Sequence, residues 1–312
     1  MINIVRETLM SNANAETAER RKILYVNLEM NFRQILDNLH LSCIYDFATE
    51  EERERLSQLK KAKTAYYRTV NGKEWKDEDW VIDEDESLQP VGENLKQVFE
   101  TNYRKAEGLI ETTMDSGNLK IYDGIGEGLE GVVKEIEKNP QGTLILLDYM
   151  QRLPAPEKFH TAQRYLQIQK SSAALLKTVI EKQLIVIAGA QLKREAVEKG
   201  KENTPSMESI RESGDIEQDA HNVVILNNNY AEVVKAREGC ESSHKMTINT
   251  VKQFVFWETS EEYGPTPEDD YKTNGRERNT VEKKTKNNPF HIITEAYKKD
   301  LIEDNKSGKQ IV

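Results

Sequence analysis

The chain has 312 residues, of which 31% are charged and 37% are apolar, and its formal net charge at pH 7 is −10. This length and composition predict a globular protein with one large domain or two small ones. The negative charge excludes a protein that coats nucleic acid with its whole surface, because neutralising phosphates requires clustered lysines and arginines. Any contact with nucleic acid is therefore expected to be local.

Membrane insertion, secretion and zinc binding are excluded by what the sequence lacks. No run of about 18 apolar residues occurs, and Met1 is not followed by the segments of a signal peptide. Cys43 and Cys240 stand far apart, and neither has a second cysteine nearby, so neither a disulfide framework nor a zinc site is expected. These features predict a cytoplasmic protein.

The first third of the chain combines a helix, a strand and a long charged segment. Apolar residues at helical spacing between positions 2 and 9 predict a helix. The apolar run Ile23 to Leu28 predicts a short strand that ends at Glu29. From about Asp46 to Gly117 the composition becomes strongly charged, which predicts an insertion made mostly of helices and loops.

The middle of the chain alternates between strand and helix patterns. Strands are predicted at 119–122, 143–147 and 184–188, and helices at 127–138 and 163–181. This alternation predicts a parallel sheet that is covered by helices on both faces.

Shorter apolar segments follow, and then a polar tail. Val223–Leu226, Ala231–Val234 and Met246–Trp257 have short connections and suit antiparallel edge strands. The remainder is rich in proline, asparagine, lysine and glutamate, although Phe290–Tyr297 suits a short helix. We therefore expect one main domain over residues 1–258 and a charged, flexible tail over 259–312.

Three polar residues directly follow apolar strands of the predicted parallel sheet: Glu29, Asp148 and Gln191. Ligands bind at the carboxyl ends of such strands, so these residues are the first candidates for a site. Asp148 is suited to hold Mg²⁺ beside nucleotide phosphates, usually through water. Glu29 is suited to polarise water for attack on a γ-phosphate, and Gln191 to sense that phosphate. Each also has a structural interpretation, as a capping carboxylate, an exposed strand-end acid and a hydrogen-bonding loop residue.

Four short strings resemble the motifs of one protein family and occur in that family's order. They are Leu28-Glu29-Met30, Asp148-Tyr149-Met150-Gln151, Gln191-Leu192-Lys193-Arg194 and Arg211-Glu212-Ser213-Gly214-Asp215-Ile216-Glu217-Gln218-Asp219-Ala220. With the strands and the long helix between them, these strings make residues 2–258 similar to the motor domain of the DnaB-type replicative DNA helicases. The resemblance implies a RecA-like three-layer α/β fold, with a mainly parallel sheet, antiparallel edge strands and the helical charged insertion.

The resemblance also implies a function. DnaB-type motors use ATP and Mg²⁺, and they couple ATP hydrolysis to translocation on single-stranded DNA and to duplex unwinding. Lys235 and Arg237 resemble the family's pair of finger cations, which neutralise charge at the nucleotide of a neighbouring subunit. A homo-oligomer in the form of a hexameric ring is therefore expected. From the local sequence alone, the two cations also suit an exposed edge strand that avoids aggregation.

A DNA-facing loop is implied by the same resemblance at Arg211, Glu212 and Gly214. Glycine permits close approach of the backbone to a phosphate, and arginine supplies charge without reading the base sequence. The alternative is that Arg211 and Glu212 form a surface ion pair that contributes little.

One departure from the family is the phosphate-binding loop. No G-x-x-x-x-G-K-[ST] string occurs in the sequence, and in the family this loop lies immediately before a helix like the one at positions 2–9. One expectation is that an upstream fragment carries the loop. The alternative is a truncated or decayed helicase paralogue, or a split-gene segment, that acts only as a binding or assembly module without hydrolysing ATP by itself.

Two other functions remain open from the sequence. Gly126-Glu127-Gly128-Leu129-Glu130-Gly131 matches the G-x-G-x-x-G pattern of dinucleotide-binding proteins, although two glutamates in the first helical turn would repel a pyrophosphate. A recombinase-like or clock-type ATPase would have the same fold. The string from Arg211 to Ala220 and the Lys-x-Arg pair favour the helicase.

Overall fold

Two four-stranded sheets dominate the computed structural model, which describes residues 1–57, 62–74, 92–192, 210, 214–227, 230–237, 242–251 and 254–263. The strands of the parallel sheet are Ile23–Asn27 (β1), Leu119–Asp123 (β2), Leu144–Asp148 (β3) and Ile185–Ala188 (β4), and their spatial order is β2-β1-β3-β4. The antiparallel sheet contains Asn222–Asn227 (β5), Tyr230–Ala236 (β6), Ser242–Val251 (β7) and Phe254–Tyr263 (β8), in chain order. The predicted mixed α/β architecture with a parallel sheet is confirmed.

Helices surround the parallel sheet and connect its strands. They are Ile2–Asn14 (α1), Phe32–Asp46 (α2), Glu50–Ser57 (α3), Ala62–Val70 (α4), Gly92–Asp115 (α5), Leu129–Glu137 (α6), Arg164–Lys182 (α7) and Gly214–Asp219 (α8). The predictions of a first helix, of helices at 127–138 and 163–181, and of helices in the charged insertion are confirmed. Residues 58–61 and 75–91 of that insertion lie outside the described residues.

Alternate residues of the central strands enter two different cores. Ile23 and Tyr25 pack with apolar side chains of α1, α2 and α5, whereas Leu24 and Val26 pack with those of α6 and α7. Successive side chains of a strand point to opposite faces, so a continuous apolar run requires cover on both sides. This arrangement gives the three layers expected from the sequence. It also fixes the direction in which the carboxyl ends of the strands point.

Helix α2 was missing from the predictions, although its sequence carries a start signal. The Asn31 side chain accepts a hydrogen bond from the Arg33 amide at 2.8 Å, and the Gln34 side chain accepts one from the Asn31 amide at 3.2 Å. This is a capping box, which satisfies amide groups at the first turn of a helix. Ile35 and Leu39 then bury one face of α2 in the core.

Two of the three predicted antiparallel strands are confirmed, and the third corresponds to parts of two strands in the structure. The predicted strands at 223–226 and 231–234 lie within β5 and β6. Met246–Trp257 was predicted as one strand, but the structure divides it between β7 and β8. Its apolar residues continue without a glycine or proline, so the composition carries no turn signal there. Strand β8 extends to Tyr263, and the predicted helix at 290–297 lies outside the described residues.

Candidate active site

The carboxyl ends of three neighbouring parallel strands bring Glu29, Asp148 and Gln191 to one edge of the sheet. Asn27 at the end of β1 is in register with Asp148 at the end of β3, and Leu147 is in register with Ala188 of β4. Backbone hydrogen bonding between β1 and β3 continues one residue past the end of β1, where the Leu28 amide donates to the Asp148 carbonyl at 3.0 Å. We call Glu29, Asp148 and Gln191 the strand-end site.

Asp148 is half-buried and is oriented by a tyrosine from the neighbouring strand. The hydroxyl of Tyr25 donates a hydrogen bond to Asp148 Oδ2. Burial and this bond to Asp148 raise the pKa of Tyr25, so the hydroxyl stays protonated and keeps donating. The sequence analysis missed Tyr25, whose only signal is a polar tip within an apolar strand.

A turn built by Asn27 presents Glu29 at the edge. The fully buried Asn27 side chain accepts hydrogen bonds from the amides of Glu29 and Met30, at 3.3 and 2.9 Å. The Glu29 side chain is 45% exposed, and its Oε1 atom lies 3.7 Å from Nη2 of Arg152. A carboxylate in this position is accessible to water, and an exposed pair of this length holds it only weakly.

Gln191 is exposed, and its backbone is held by a buried side chain. The Gln191 amide donates to Oε1 of Gln151 at 3.0 Å, and Nε2 of Gln151 donates to the Gln191 carbonyl at 3.2 Å. The next residue, Leu192, forms an antiparallel bridge with Ile210. Neither Gln151 nor Asn27 was assigned a role from the sequence.

Helix α1 begins at the same edge. The Met1 side chain lies 3.6 Å from the position that a Cβ atom would occupy at Gly189, just after β4. The Ile4 amide donates to the Met1 carbonyl at 2.9 Å, so the first turn of the helix starts there. The amino end of a helix carries partial positive charge, which favours nearby anions.

The two predicted finger cations lie against the carboxyl end of α8. Nη2 of Arg237 donates to the Gln218 carbonyl at 2.7 Å, and Nζ of Lys235 donates to the carbonyls of Glu217 and Gln218. Cations are favoured there because the last carbonyls of a helix carry partial negative charge.

Only one residue of the predicted DNA-facing loop falls within the described residues. Gly214 starts α8 and is exposed, with open space where a side chain would be. Arg211 and Glu212 lie outside the described residues.

The G-x-G-x-x-G string lies where α6 begins, beside the edge strand β2. The carboxylate of Glu127 lies 2.6 Å from the position of a Cβ atom at Gly131, and that of Glu130 lies 3.5 Å from the equivalent position at Gly128. Two carboxylates thus cover the turn that a pyrophosphate would have to approach. This charge disfavours dinucleotide binding there.

The strand-end site meets the chemical needs of Mg²⁺ bound together with a nucleotide. Mg²⁺ is usually bound by one or two carboxylates, by phosphate oxygens and by water, rather than by a cage of protein ligands. The Asp148 carboxylate has two oxygens, and one of them, Oδ2, accepts a hydrogen bond from the Tyr25 hydroxyl. Among the described residues, no group of three or more His, Cys, Asp or Glu side chains is arranged to hold a metal ion. Asp148 with phosphates and water is the arrangement that fits.

The central part of the chain is similar to a family of known proteins. Residues 112–253 match the model of the DnaB-like helicase C-terminal domain. The matched segment contains Asp148, Gln191, Lys235 and Arg237, whereas Glu29 and the helices α1 to α4 precede it.

Curated proteins with replicative helicase names are also similar to part of the chain. The chain is 27% identical over 135 residues to the replicative DNA helicase DnaB of Mycoplasma genitalium, covering 40% of this chain and 29% of the relative. It is 31% identical over 111 residues to DnaB of Mycoplasma pneumoniae, covering 35% and 23%. A probable plasmid replicative DNA helicase of Chlamydia psittaci is 30% identical over 120 residues, covering 38% and 26%. The aligned region is thus under a third of each relative's length.

Solved structures confirm the RecA-like fold. A DnaB-like replicative helicase, studied with its primase interactions, superposes with a TM-score of 0.54 at 20% identity, covering 77% of this chain and 52% of that one. A second solved structure, an isolated ATPase domain, superposes with a TM-score of 0.53 at 19% identity, covering 80% of each chain. The structural similarity covers a larger share of the chain than the family match over residues 112–253. No helix in the described part of the chain has the length and apolarity needed to cross a bilayer.

Proposed function

We propose that the chain is the ATP-dependent motor domain of a replicative DNA helicase, which couples ATP hydrolysis to translocation on single-stranded DNA and to unwinding. The observation that carries this proposal is the common position of Glu29, Asp148 and Gln191 at the carboxyl edge of three adjacent parallel strands. The family match over residues 112–253 supports it. A hydrolytic site requires these groups to lie around one triphosphate.

We propose a role for each residue of the strand-end site, and its surroundings support that role. Asp148, oriented by Tyr25, holds Mg²⁺ through water, and the ion neutralises charge on the phosphates. Glu29, exposed and presented by the Asn27 turn, accepts a proton from the attacking water. Gln191 responds to the presence of the γ-phosphate, because its side chain is exposed at the same edge.

DNA contact and ring assembly form the second part of the proposal. Arg211, Glu212 and Gly214 face single-stranded DNA in a central channel, and Lys235 and Arg237 act on the nucleotide of a neighbouring subunit in a hexameric ring. The exposed guanidinium of Arg237 lies on the carbonyls of α8, which starts at Gly214. This contact supports a connection between the finger pair and α8, whose first residue belongs to the proposed DNA-facing segment. The ring acts in the cytoplasm.

We also propose that a segment upstream of α1 supplies the phosphate-binding loop. β4 pairs with β3 on one side, and within the described ranges no strand pairs with its other side. Its residues Ile185, Val186 and Ile187 are apolar but only partly buried, as expected for an edge that accepts another strand. Because α1 starts beside Gly189 at the end of β4, a strand running parallel to β4 would lead through a short loop into α1.

An ATPase assay on the purified chain, with and without single-stranded DNA, tests the motor function. It is run on the chain alone and on the chain joined to the segment encoded upstream of it. Changing Glu29→Ala removes the proton acceptor, so DNA-stimulated turnover is expected to fall by roughly 10²- to 10⁴-fold. Glu137→Ala, on the exposed side of α6, is the matched control and leaves turnover unchanged.

Two results would contradict the proposal. One is the absence of DNA-stimulated turnover from both proteins, and the other is full turnover after Glu29→Ala. The upstream loop is tested by the coding sequence that precedes the codon for Met1. A glycine-rich strand-to-helix loop is expected there, and an upstream reading frame without one rejects that part.

A further inference from the structure

Gln151 is a buried residue next to the strand-end site, and the proposed hydrolysis gives it no role. Its side chain is 7% exposed and bonds both backbone groups of Gln191, at 3.0 Å to the amide and 3.2 Å to the carbonyl. A primary amide can accept and donate side by side, as a backbone peptide does in a strand ladder. The Gln151 side chain therefore takes the place of a strand residue beside Gln191.

The reason for this replacement is the path of the chain after β3. The last register pair of β3 and β4 is Leu147 with Ala188. Gly189 continues the pairing, because it donates to the Leu147 carbonyl at 2.9 Å and accepts from the Met150 amide at 2.8 Å. The chain then turns into a short 3-10 helix, Met150–Arg152, so its backbone no longer runs beside Gln191. The side chain of Gln151 extends the pairing by one further step.

Gln151 is itself anchored on the opposite side. Its carbonyl accepts a hydrogen bond from the Arg164 guanidinium at the start of α7. Nearby, the Ser171 hydroxyl of α7 donates to the Pro154 carbonyl at 2.7 Å. Met150, the first residue of the 3-10 helix, and Leu153, which follows the helix, are buried in the core with α6 and α7. The Gln151 amide is thus fixed relative to β3 and Asp148.

The segment that leaves Gln191 leads toward the proposed DNA loop. Leu192 and the buried Ile210 form an antiparallel bridge one residue past Gln191. Ile210 directly precedes Arg211 and Glu212 in the sequence. A displacement of the Gln191 backbone is therefore passed to Ile210 through a single bridge.

We propose that Gln151 is a positioning residue that couples the strand-end site to the DNA-facing segment by holding the Gln191 backbone in register with β3. It does not touch the nucleotide or the DNA. We call the two hydrogen bonds between the Gln151 side chain and the Gln191 backbone the clamp. The effect of the clamp on activity rests on the proposed motor function, whereas the clamp itself is a property of the folded chain. Coupling requires a continuous physical connection whose arrangement both sites bias, and the Gln151–Gln191–Ile210 contacts supply one.

The test compares Gln151→Met, which keeps the length of the side chain but forms neither hydrogen bond, with Gln151→Glu. A carboxylate retains the acceptor for the Gln191 amide but cannot donate to its carbonyl. Gln163→Ala is the control, because that side chain is exposed and makes no capping hydrogen bond to α7. Thermal melts establish that each variant is folded.

Two measurements are made on each protein. Amide hydrogen exchange over residues 186–192, without ligands, is expected to rise about tenfold in Gln151→Met and less in Gln151→Glu, because an unbonded amide exchanges from locally open states. The ratio of DNA-stimulated to basal ATPase rate is expected to approach one in Gln151→Met, while the basal rate stays within about threefold of the parent, since no contact with the reacting groups is lost.

The outcomes separate the two proposals. Unchanged exchange over residues 186–192 in a folded Gln151→Met variant overturns the clamp. If DNA stimulates the ATPase of the parent and of Gln151→Met equally, the coupling role of Gln151 is overturned, and the motor function is not. If the parent, with its upstream segment, has no DNA-stimulated turnover, the motor function fails and the coupling role fails with it, while the exchange result still decides whether the clamp exists.

Discussion

Two polar clusters in this molecule differ in how completely the protein satisfies their side chains. In the first cluster, Asp37 of α2 is 3% exposed, and its two oxygens accept hydrogen bonds from the hydroxyls of Tyr66 and Tyr67, in the insertion, at 2.8 and 2.7 Å. His40 lies beside them, with Nδ1 3.2 Å from the Tyr66 hydroxyl. We call these four residues the Asp37 cluster. Burial and the bond to Asp37 raise the pKa of Tyr66, so its hydroxyl remains a donor.

The strand-end site has the opposite character. Glu29 and Gln191 are exposed, and Asp148 is half-buried with one oxygen held by Tyr25. A buried charge must be paired by the protein itself, whereas partly exposed polar groups retain the capacity to bind a ligand. The comparison teaches that the polar cluster with the better internal bonding is the structural one. The less satisfied cluster at the strand ends is the candidate for chemistry.

The largest expected difference between the clusters is in stability. Asp37→Ala leaves two tyrosine hydroxyls without their acceptor, one of them buried, and should lower the free energy of unfolding by about 3 kcal/mol. Glu29→Ala, at the strand-end site, should change it by less than about 0.5 kcal/mol, because an exposed side chain with a weak ion pair is removed. Urea denaturation followed by circular dichroism measures both.

A small effect of Asp37→Ala would break the comparison, since the cluster would then not stabilise α2 against α4. Tyr67→Phe is the matched control, because it removes one partly exposed hydroxyl and leaves the Tyr66 bond in place. Its expected cost is about 1 kcal/mol, the usual net value of one hydrogen bond. Equal losses in Asp37→Ala and Tyr67→Phe would mean that the Tyr66 bond contributes nothing.

Much of the parallel sheet could be predicted because its strands are apolar on both faces. The runs at 23–28, 143–147 and 184–188 are apolar except near their ends, at Asn27 and Thr143, so each is recognised without knowledge of its neighbours. The first polar residue after each run is then identified as well, which is why Glu29, Asp148 and Gln191 were candidates. The parallel topology alone brings them to one edge.

The supporting residues could not be predicted from the same pattern. Tyr25, Asn27 and Gln151 act through hydrogen bonds to residues on another strand or turn, and such partners become neighbours only after the sheet has formed. The Asp37 cluster was missed for a related reason, because Asp37 lies in α2 and Tyr66 in α4, and these separate helices bring the two residues together only in the folded chain. Local sequence periodicity contains no information on these contacts.

The pH dependence of stability sharpens the comparison at His40. Burial lowers the pKa of His40 from its ordinary value of 6.5, against the opposing influence of Glu107 and Asp37, which favour the charged form. The unfolded chain therefore binds a proton more readily than the folded one, so this residue's contribution is fully present above about pH 6.5 and is lost as pH falls through the lowered pKa.

His40→Phe isolates this contribution, since an aromatic ring can retain the packing of His40 between Tyr66 and Tyr103. The stability of the parent relative to the variant should fall below pH 6.5 with a slope of at most about 1.4 kcal/mol per pH unit. Urea denaturation at several pH values measures the difference. A relative stability that rises on acidification would mean that the two carboxylates outweigh burial.

Replacing Lys235 and Arg237 is expected to have a small effect on the free energy of unfolding. In their exposure, these two cations resemble the strand-end site more than the buried Asp37 cluster. Arg237 is exposed, and both side chains donate to carbonyls at the end of the six-residue helix α8. Replacing both by alanine should lower the free energy of unfolding by about 0.3–1 kcal/mol, the usual contribution of cations at a helix end. Lys177→Ala, which removes an exposed pair with Glu181 on α7, is the control.

Amide exchange over residues 214–219 locates this effect, because losing the cations should loosen α8 and leave the parallel sheet unchanged. A small cost is what a finger pair requires, since these side chains must leave the α8 carbonyls to reach a neighbouring subunit. A loss above about 2 kcal/mol would class Lys235 and Arg237 with buried structural groups such as Asp37. Cations bound that firmly within their own chain would be poorly available to a neighbour's phosphate, and the proposed role across the ring would lose its support.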